Sequence, residues 1–318
     1  MTTHRTQSHT RLETRFETQI GGAADALPNA PRPTQLGPYQ LVRPIAPAAI
    51  HRPASDSTYS VERWLALHTP DETDRIVHLF AEPLDDAELD RAHKALWRLA
   101  ATPHAHLLSP ECVAIHRQSR CLWAATRFVG HQERVLTLAE HARIKGGTLP
   151  PHETERAVIQ LLECLQQLHA GGILSGPLHA QDILLDRRGS VCLELHGIGR
   201  ALDGLHGFGS ELVNDEVRSV VDIAYTLITG HHPESTDGLR PSRLVRRLDR
   251  AWDHWFEAGL DPVSCFESSE EALEALPSEA YNARPTTTGM IGRLRRALER
   301  PRPTPAQKTD TGAGSRTP

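Results

Sequence analysis

The 318-residue sequence has few cysteines and no pair of them in a CxxC motif. The five that it contains are an odd number and lie far apart along the chain. This usage excludes a disulfide framework and gives no support to a cysteine-based zinc site. We expect reduced thiols within the core.

Long apolar runs are also missing. The longest, from Ser219 to Gly230, contains Asp222 and falls short of the roughly 18 to 20 residues that a membrane-spanning helix needs. Residues 1–20 have no central apolar region of the kind that a signal peptide carries. The sequence therefore predicts no membrane span and a cytoplasmic location.

Basic residues are fewer than acidic ones, and lysine is especially rare. Thirty-five basic side chains against forty acidic ones give a formal charge of −5, which excludes a general nucleic-acid-binding surface. The exception is the segment 293–308, which contains six basic residues and one acidic residue, Glu299. We interpret it as a solvated helix end, with docking on an acidic partner, a membrane or nucleic acid as the alternative. The three lysines are Lys94, Lys145 and Lys308.

Composition divides the chain into four segments. Residues 1–35 and the last part of 281–318 are rich in Thr, Pro, Gly and Arg, with few large apolar side chains. Such segments cannot bury enough surface to offset their ordering entropy, so we predict a disordered N-terminal tail and a basic C-terminal tail. Residues 36–129 and 130–280 form the folded part.

Residues 36–129 have mainly a strand pattern. Strands are predicted over 36–45, 58–67 and 75–80, with two more within 113–129, because apolar and β-branched residues alternate between turn signals. One helix interrupts them, since four apolar residues repeat at three- and four-residue steps on one face. These residues are Leu89, Ala92, Leu96 and Leu99.

Residues 130–280 have mainly a helix pattern. The clearest helix runs from Pro151 to Ala170, with proline at its first position and Gly171 after its last. Two short strands and three further helices follow. The strands are predicted over 182–186 and 190–195, and the helices over about 216–229, 241–258 and 268–276. A strand-rich part followed by a helix-rich part indicates an α+β fold with two lobes.

Four segments, in this order, resemble the protein kinase family, in particular the bacterial serine/threonine kinases. They are LHAGGILSGPLHAQDILLD (168–186), VCLELHGIGRAL (191–202), EVRSVVDIAYTLITGHHP (216–233) and DPVSCFESSEEALEAL (261–276). The resemblance covers residues 36–280. It implies a two-lobe kinase-like fold, with a strand-rich N-lobe over 36–129 and a helical C-lobe over 130–280.

The resemblance also shows which residue types of the family are absent. Pro177 stands where the family has its catalytic aspartate, and a proline ring cannot accept a proton. His179 matches the loop lysine, Asp182 the metal-binding asparagine, and Leu195 the aspartate that holds Mg²⁺. Glu194 is adjacent to Leu195, but successive strand residues point to opposite faces, so we expect it to point away.

The phosphate-binding ion pair of the family is replaced as well. His78 matches its lysine and Ala92 its glutamate. Arg43 or Arg63 could reach in from a neighbouring strand. The segment 45–50 stands where the family has a glycine-rich loop, and it contains no glycine.

Four further positions follow from the resemblance. Ile76, Thr126 and Leu184 match the adenine pocket, and Ile76 replaces a small alanine and would fill part of that pocket. Glu216 matches the acid that bonds the backbone of the catalytic loop, and we expect it to be a structural anchor.

Two of these residues have alternative interpretations. A histidine packed in a strand is favoured for His78 over a pH-sensitive substitute for the lysine. A cap or turn role is favoured for Asp182 over a weak cation site shared with Glu194. No metal site is predicted.

The sequence thus predicts a catalytically inactive protein kinase-like domain, a pseudokinase, that acts as a binding or regulatory scaffold in bacterial signalling. We expect a protein partner, no cofactor and no ATP binding. The alternative is an enzyme, either a divergent serine/threonine kinase or a nucleotide-dependent transferase with residual ATP binding. Its site would use His78, His179 and Asp182.

Overall fold

A computed structural model describes residues 34–116, 119–130, 134–207, 209–236, 239–261 and 265–277. The tails predicted to be disordered lie outside these residues, except for the last two residues of the N-terminal one. Gln35, which the sequence places in that tail, lies in strand β1 (Gln35–Leu36) and pairs with Gln40 of the next strand. The folded part therefore begins slightly earlier than predicted.

The first part of the described chain is a six-stranded antiparallel sheet in the order β1-β2-β3-β4-β6-β5. All five strands predicted from the sequence are present. They are β2 (Tyr39–Arg52), β3 (Ser57–His68), β4 (Thr73–Phe80), β5 (Cys112–His116) and β6 (Cys121–Arg127).

Strand β2 is long and irregular. It continues through the glycine-free segment 45–50, and its pairing with β3 shifts register between Leu41 and Arg43 and between Ile45 and Ala48. Pro44 and Pro47 lie at or beside these shifts, and neither can donate a ladder hydrogen bond. The irregularity leaves backbone carbonyls of β2 available to side chains.

Helix α1 (Asp86–Ala100) packs on this sheet. Asp85 caps it, since its carboxylate accepts from the N–H of Glu88 while the Glu88 side chain accepts from the N–H of Asp85. The predicted apolar face is confirmed, because Ala92, Leu96 and Leu99 are buried.

The second part is mainly helical and contains a small three-stranded sheet in the order β7-β8-β9. The strands of that sheet are β7 (Leu136–Thr137), β8 (Ile183–Leu185) and β9 (Val191–Leu193). The helices are α2 (Leu138–Ile144), α3 (Pro151–Ala170), α4 (Ile198–Leu202), α5 (Ser210–Thr229), α6 (Pro241–Leu244), α7 (Arg250–Leu260) and α8 (Ser269–Ala275), with a 3-10 helix over Pro233–Thr236.

Helix α3 is the centre of the helical part and has the bounds that the sequence predicts. Pro151 begins it, and Gly171 caps its end. It packs against α5, α8 and β9 through a stripe of buried apolar side chains. The loop that leaves α3, residues 171–182, is thereby held against the same core.

Two helix predictions differ from the structure. The helix expected over 241–258 is two helices, because Arg247 takes a left-handed conformation with φ of 68° and the Asp249 side chain caps a new helix by accepting from the Ala251 N–H. The helix expected from residue 216 begins six residues earlier, at Ser210.

The structure is a mixed α+β fold in which the antiparallel sheet precedes most of the helices. Within the described ranges, no helix has both the length and the apolar character needed to cross a membrane.

Candidate functional site

Glu216 fixes the loop that follows helix α3. It lies on α5, fully buried, and its Oε1 accepts hydrogen bonds from the backbone N–H groups of Ser175 and of Gly176, the latter at 2.8 Å. Its Oε2 lies 2.7 Å from Nε2 of His169 and 3.6 Å from Nε2 of His196. One carboxylate thus joins the end of α3, the loop and the segment before α4.

The surroundings of Glu216 favour its ionised form. Burial alone would raise the pKa of this carboxyl group, but the charge of His196 and the hydrogen bonds from His169 and Gly176 outweigh burial. The net effect lowers the pKa of Glu216 to about 2.

This shift predicts a loss of stability in acid. A carboxyl group whose pKa is lower in the folded state than its ordinary value of 4.5 stabilises the fold fully above pH 4.5. That contribution, about 3 kcal/mol in the free energy of unfolding, is lost as the pH falls from 4.5 toward 2. Denaturant unfolding at a series of pH values should therefore show the free energy of unfolding falling steeply as the pH drops below 4.5. The fall should be shallower for Glu216→Gln, and an equally steep fall in that variant would contradict the assignment.

A second buried carboxylate, Glu194, lies directly after β9. Its side chain is only 4% exposed and points at strands β3 and β4, where Oε1 contacts Nη2 of Arg63 and Oε2 lies 3.1 Å from Nε2 of His78. The expectation that Glu194 points away is therefore wrong. Strand β9 ends at Leu193, and Leu195 takes a left-handed φ of 49°, so strand alternation does not apply at Glu194.

Arg63 and His78 are brought together by the sheet. They lie directly opposite each other in the register of β3 and β4 and so point to the same face. Arg63 also donates from Nη1 to the backbone carbonyl of Ala46 in the irregular part of β2, at 3.0 Å. Among the described residues, Nε of Arg63 and Nδ1 of His78 are buried without a hydrogen-bond partner.

The surroundings of Glu194 favour its ionised form. Burial would raise the pKa of Glu194, but the guanidinium of Arg63 and the hydrogen bond from His78 outweigh burial and lower it. His78 is fully buried, as a packed strand residue is, and it contacts a carboxylate that the sequence did not assign to it. Arg63 does reach this side of the sheet from the neighbouring strand.

Residues of the loop after α3 line the same cavity as Glu194. The side chains of Pro177 and His179 are exposed, and the backbone N–H of Asp182 bonds the carbonyl of His179 at 2.9 Å, which is a turn. Burial raises the pKa of the Asp182 carboxyl group, and the nearby charge of Glu194 acts in the same direction. These four side chains line a cavity of about 130 Å³ beneath β2.

That cavity is bounded above by the hairpin of β2 and β3, which lies directly on α4. A Cβ atom at Gly199 would lie 1.9 Å from the backbone oxygen of His51, so only glycine permits this approach. Arg52 donates to Asp203 and to Glu88, each at 2.8 Å, and so ties the hairpin to both α4 and α1. Asp203 also accepts from the backbone N–H of Ala54 at 2.7 Å.

The residues matched to the adenine pocket are buried close to one another. Ile76 lies opposite Thr126 in the register of β4 and β6, and Ile76 and Leu184 share one apolar cluster. The three side chains are at most 1% exposed. Ala92, which matches the glutamate of the ion pair, is fully buried on the core face of α1.

The segment before α4 contains the position matched to the metal-binding aspartate. Leu195 is buried, and Gly197 has a φ of 79°, where a Cβ atom would come within 3.1 Å of the Leu174 carbonyl oxygen. Across the ranges that the structure describes, no group of three or more His, Cys, Asp or Glu side chains could hold a metal ion.

Sequence reasoning missed several residues of this site. His169 and His196 are the partners of Glu216. Asp203 bonds Arg52 of the β2–β3 hairpin, and Gly199 lies against its backbone. For Glu194, the position of Arg63 and His78 on adjacent strands is the signal that could have indicated a buried anionic partner.

Comparison of the sequence with models of known protein families gives no match, and comparison with curated proteins gives none.

Proposed function

We propose that the chain is a catalytically inactive protein kinase-like domain that acts as a binding or regulatory module. In this proposal the sheet with α1 is the N-lobe, the helices with the small sheet form the C-lobe, and the cavity beneath β2 is the remnant of the nucleotide cleft.

The observation that carries the proposal is the position of the β2–β3 hairpin. In a kinase the corresponding hairpin covers the phosphates of ATP, and its backbone needs space beneath it. Here the carbonyl of His51 touches Gly199 of α4, and Arg52 is bonded to Asp203. The volume that remains, about 130 Å³, lies below the roughly 300 Å³ at which small-molecule pockets begin.

The charges near this cavity support the same conclusion. Arg63 is a buried cation directly opposite His78, which matches the missing lysine, but Glu194 contacts its Nη2 and Ala46 accepts from its Nη1. A triphosphate would have to displace Glu194, which would leave that carboxylate buried without its partner. Pro177 offers no group that could accept a proton from a substrate hydroxyl.

The groups that are present hold the domain in shape. Glu216 fixes the loop 171–182, Glu194 joins the small sheet to the large one, and Arg52 fixes the hairpin. A rigid domain of this kind suits a role in which its surface binds a protein partner. We place that role in bacterial cytoplasmic signalling on the basis of the sequence resemblance.

A thermal-shift titration with ATP and Mg²⁺ tests the proposal. A ligand at 100 times its dissociation constant stabilises the folded state by about 2.7 kcal/mol, which moves the melting temperature measurably. At up to millimolar nucleotide we expect no rise in melting temperature that Asp182→Ala abolishes, and no labelled phosphate on the protein or on an added acceptor protein.

The Asp182→Ala variant tests the alternative, in which the chain is an enzyme that binds ATP. If ATP raises the melting temperature, Asp182→Ala abolishes that rise and label is transferred, the chain is a divergent kinase or transferase and the proposal fails. Glu274→Ala, a carboxylate change on α8 away from the cavity, is the matched control and should leave any shift unchanged.

A further inference from the structure

A second and larger cavity, of about 540 Å³, lies between helix α1 and the segment 196–207. This volume falls within the range of about 300 to 1,000 Å³ typical of small-molecule sites. Its lining is strongly cationic, with four basic side chains against one carboxylate, that of Asp90. The four are Arg91, Lys94, Arg98 and Arg200.

Two of these guanidinium groups are held in place by backbone carbonyls. Arg91 donates from Nε to Ala201 at 3.0 Å and from Nη2 to Leu202 at 2.8 Å. Arg98 donates from Nη2 to the carbonyls of Gly171 and Gly172, at 3.2 and 3.0 Å. A carbonyl orients a guanidinium without cancelling its charge, so both side chains remain net positive.

The other two cations are also available to a ligand. Lys94 pairs with Asp90 at 2.6 Å, but both side chains are more than half exposed, and such a surface pair is weak. Arg200 has no side-chain hydrogen bond or ion pair with any residue in the described ranges, and it lines the cavity from α4.

We propose that this cavity binds a small organic phosphate. Several guanidinium groups around one concave space match the charge and the oxygens of a phosphate, because each keeps N–H donors beyond those that its carbonyl partners use. Pre-positioned Arg91 and Arg98 lose little side-chain entropy on binding such an anion. His196 and His206 complete the polar lining. This cavity shares His196 and Arg200 with the cavity beneath β2, whereas Arg91, Lys94 and Arg98 line only the larger one. The inference does not depend on the proposed function.

Isothermal titration calorimetry tests this inference. The full chain is titrated with inorganic pyrophosphate, without divalent metal and at constant ionic strength. We expect saturable binding of one pyrophosphate per chain. Arg98→Gln and Arg200→Gln should each weaken it about tenfold or more, because each removes a charge-assisted contact.

Matched controls separate this site from general charge effects and from the smaller cavity. Arg134→Gln changes an exposed arginine that precedes β7 and does not line this cavity by the same charge, and it should alter the dissociation constant by less than about twofold. His179→Gln, which lines only the smaller cavity, should also leave it unchanged. Absence of saturable binding, equal losses in Arg134→Gln and Arg200→Gln, or dependence on His179 rather than Arg98 would overturn the inference. A melting curve of each variant shows that it is folded.

Discussion

Replacement of Glu216 by glutamine is expected to reduce the free energy of unfolding by about 3 to 5 kcal/mol, because it removes one partner of a buried, charged network. The carboxylate accepts from the backbone at Ser175 and Gly176 and faces His169 and His196. An amide has one acceptor oxygen, so its NH₂ group must face donors and leave some of them unsatisfied.

Denaturant unfolding at pH 7 measures this effect. Glu211→Gln is the control, since it makes the same change on an exposed residue at the start of the same helix. We expect a loss below about 1 kcal/mol for the control. Equal losses in the two variants would show that Glu216 does not organise the loop.

Replacement of Arg63 by methionine should cost a similar amount, about 3 to 5 kcal/mol, since it leaves Glu194 charged in a buried site without its cation. Methionine keeps much of the apolar length of the arginine side chain, so the loss reports the charge rather than a large cavity. Of the two described residues that bond the carboxylate, His78 remains.

A double variant distinguishes the ion pair from packing. Arg63→Met combined with Glu194→Leu removes both charges, and it should recover at least about 2 kcal/mol relative to Arg63→Met alone. Arg134→Met, an exposed arginine, should change stability by less than about 0.5 kcal/mol. Additive losses in the double variant would contradict a direct interaction between Arg63 and Glu194.

Local sequence patterns predicted the regular elements of the fold well. Helix α3 has the predicted bounds because its apolar stripe is long and its ends carry proline and glycine. The periodic pattern does not show the split between α6 and α7, since Arg247 adopts a conformation that few non-glycine residues take. Asp249, a favoured N-cap residue, is the one local signal of a new helix start. Helix α4, with five residues, is too short for a periodic pattern.

The candidate site was only partly predictable for a different reason. The bond from Glu216 to the loop backbone was expected from the resemblance alone. Arg52 and Asp203 are 151 positions apart, and no local pattern connects them. Glu194 was assigned to the wrong face because alternation was extended one residue beyond the end of β9.

The closed position of the β2–β3 hairpin is the central claim, and a crystal structure grown with excess ATP and Mg²⁺ tests it most directly. We predict that the His51 carbonyl remains against Gly199, that Arg63 remains paired with Glu194, and that no nucleotide lies beneath β2. An ordered ATP under a raised hairpin, with a metal ion held by Asp182 or Glu194, would contradict the account.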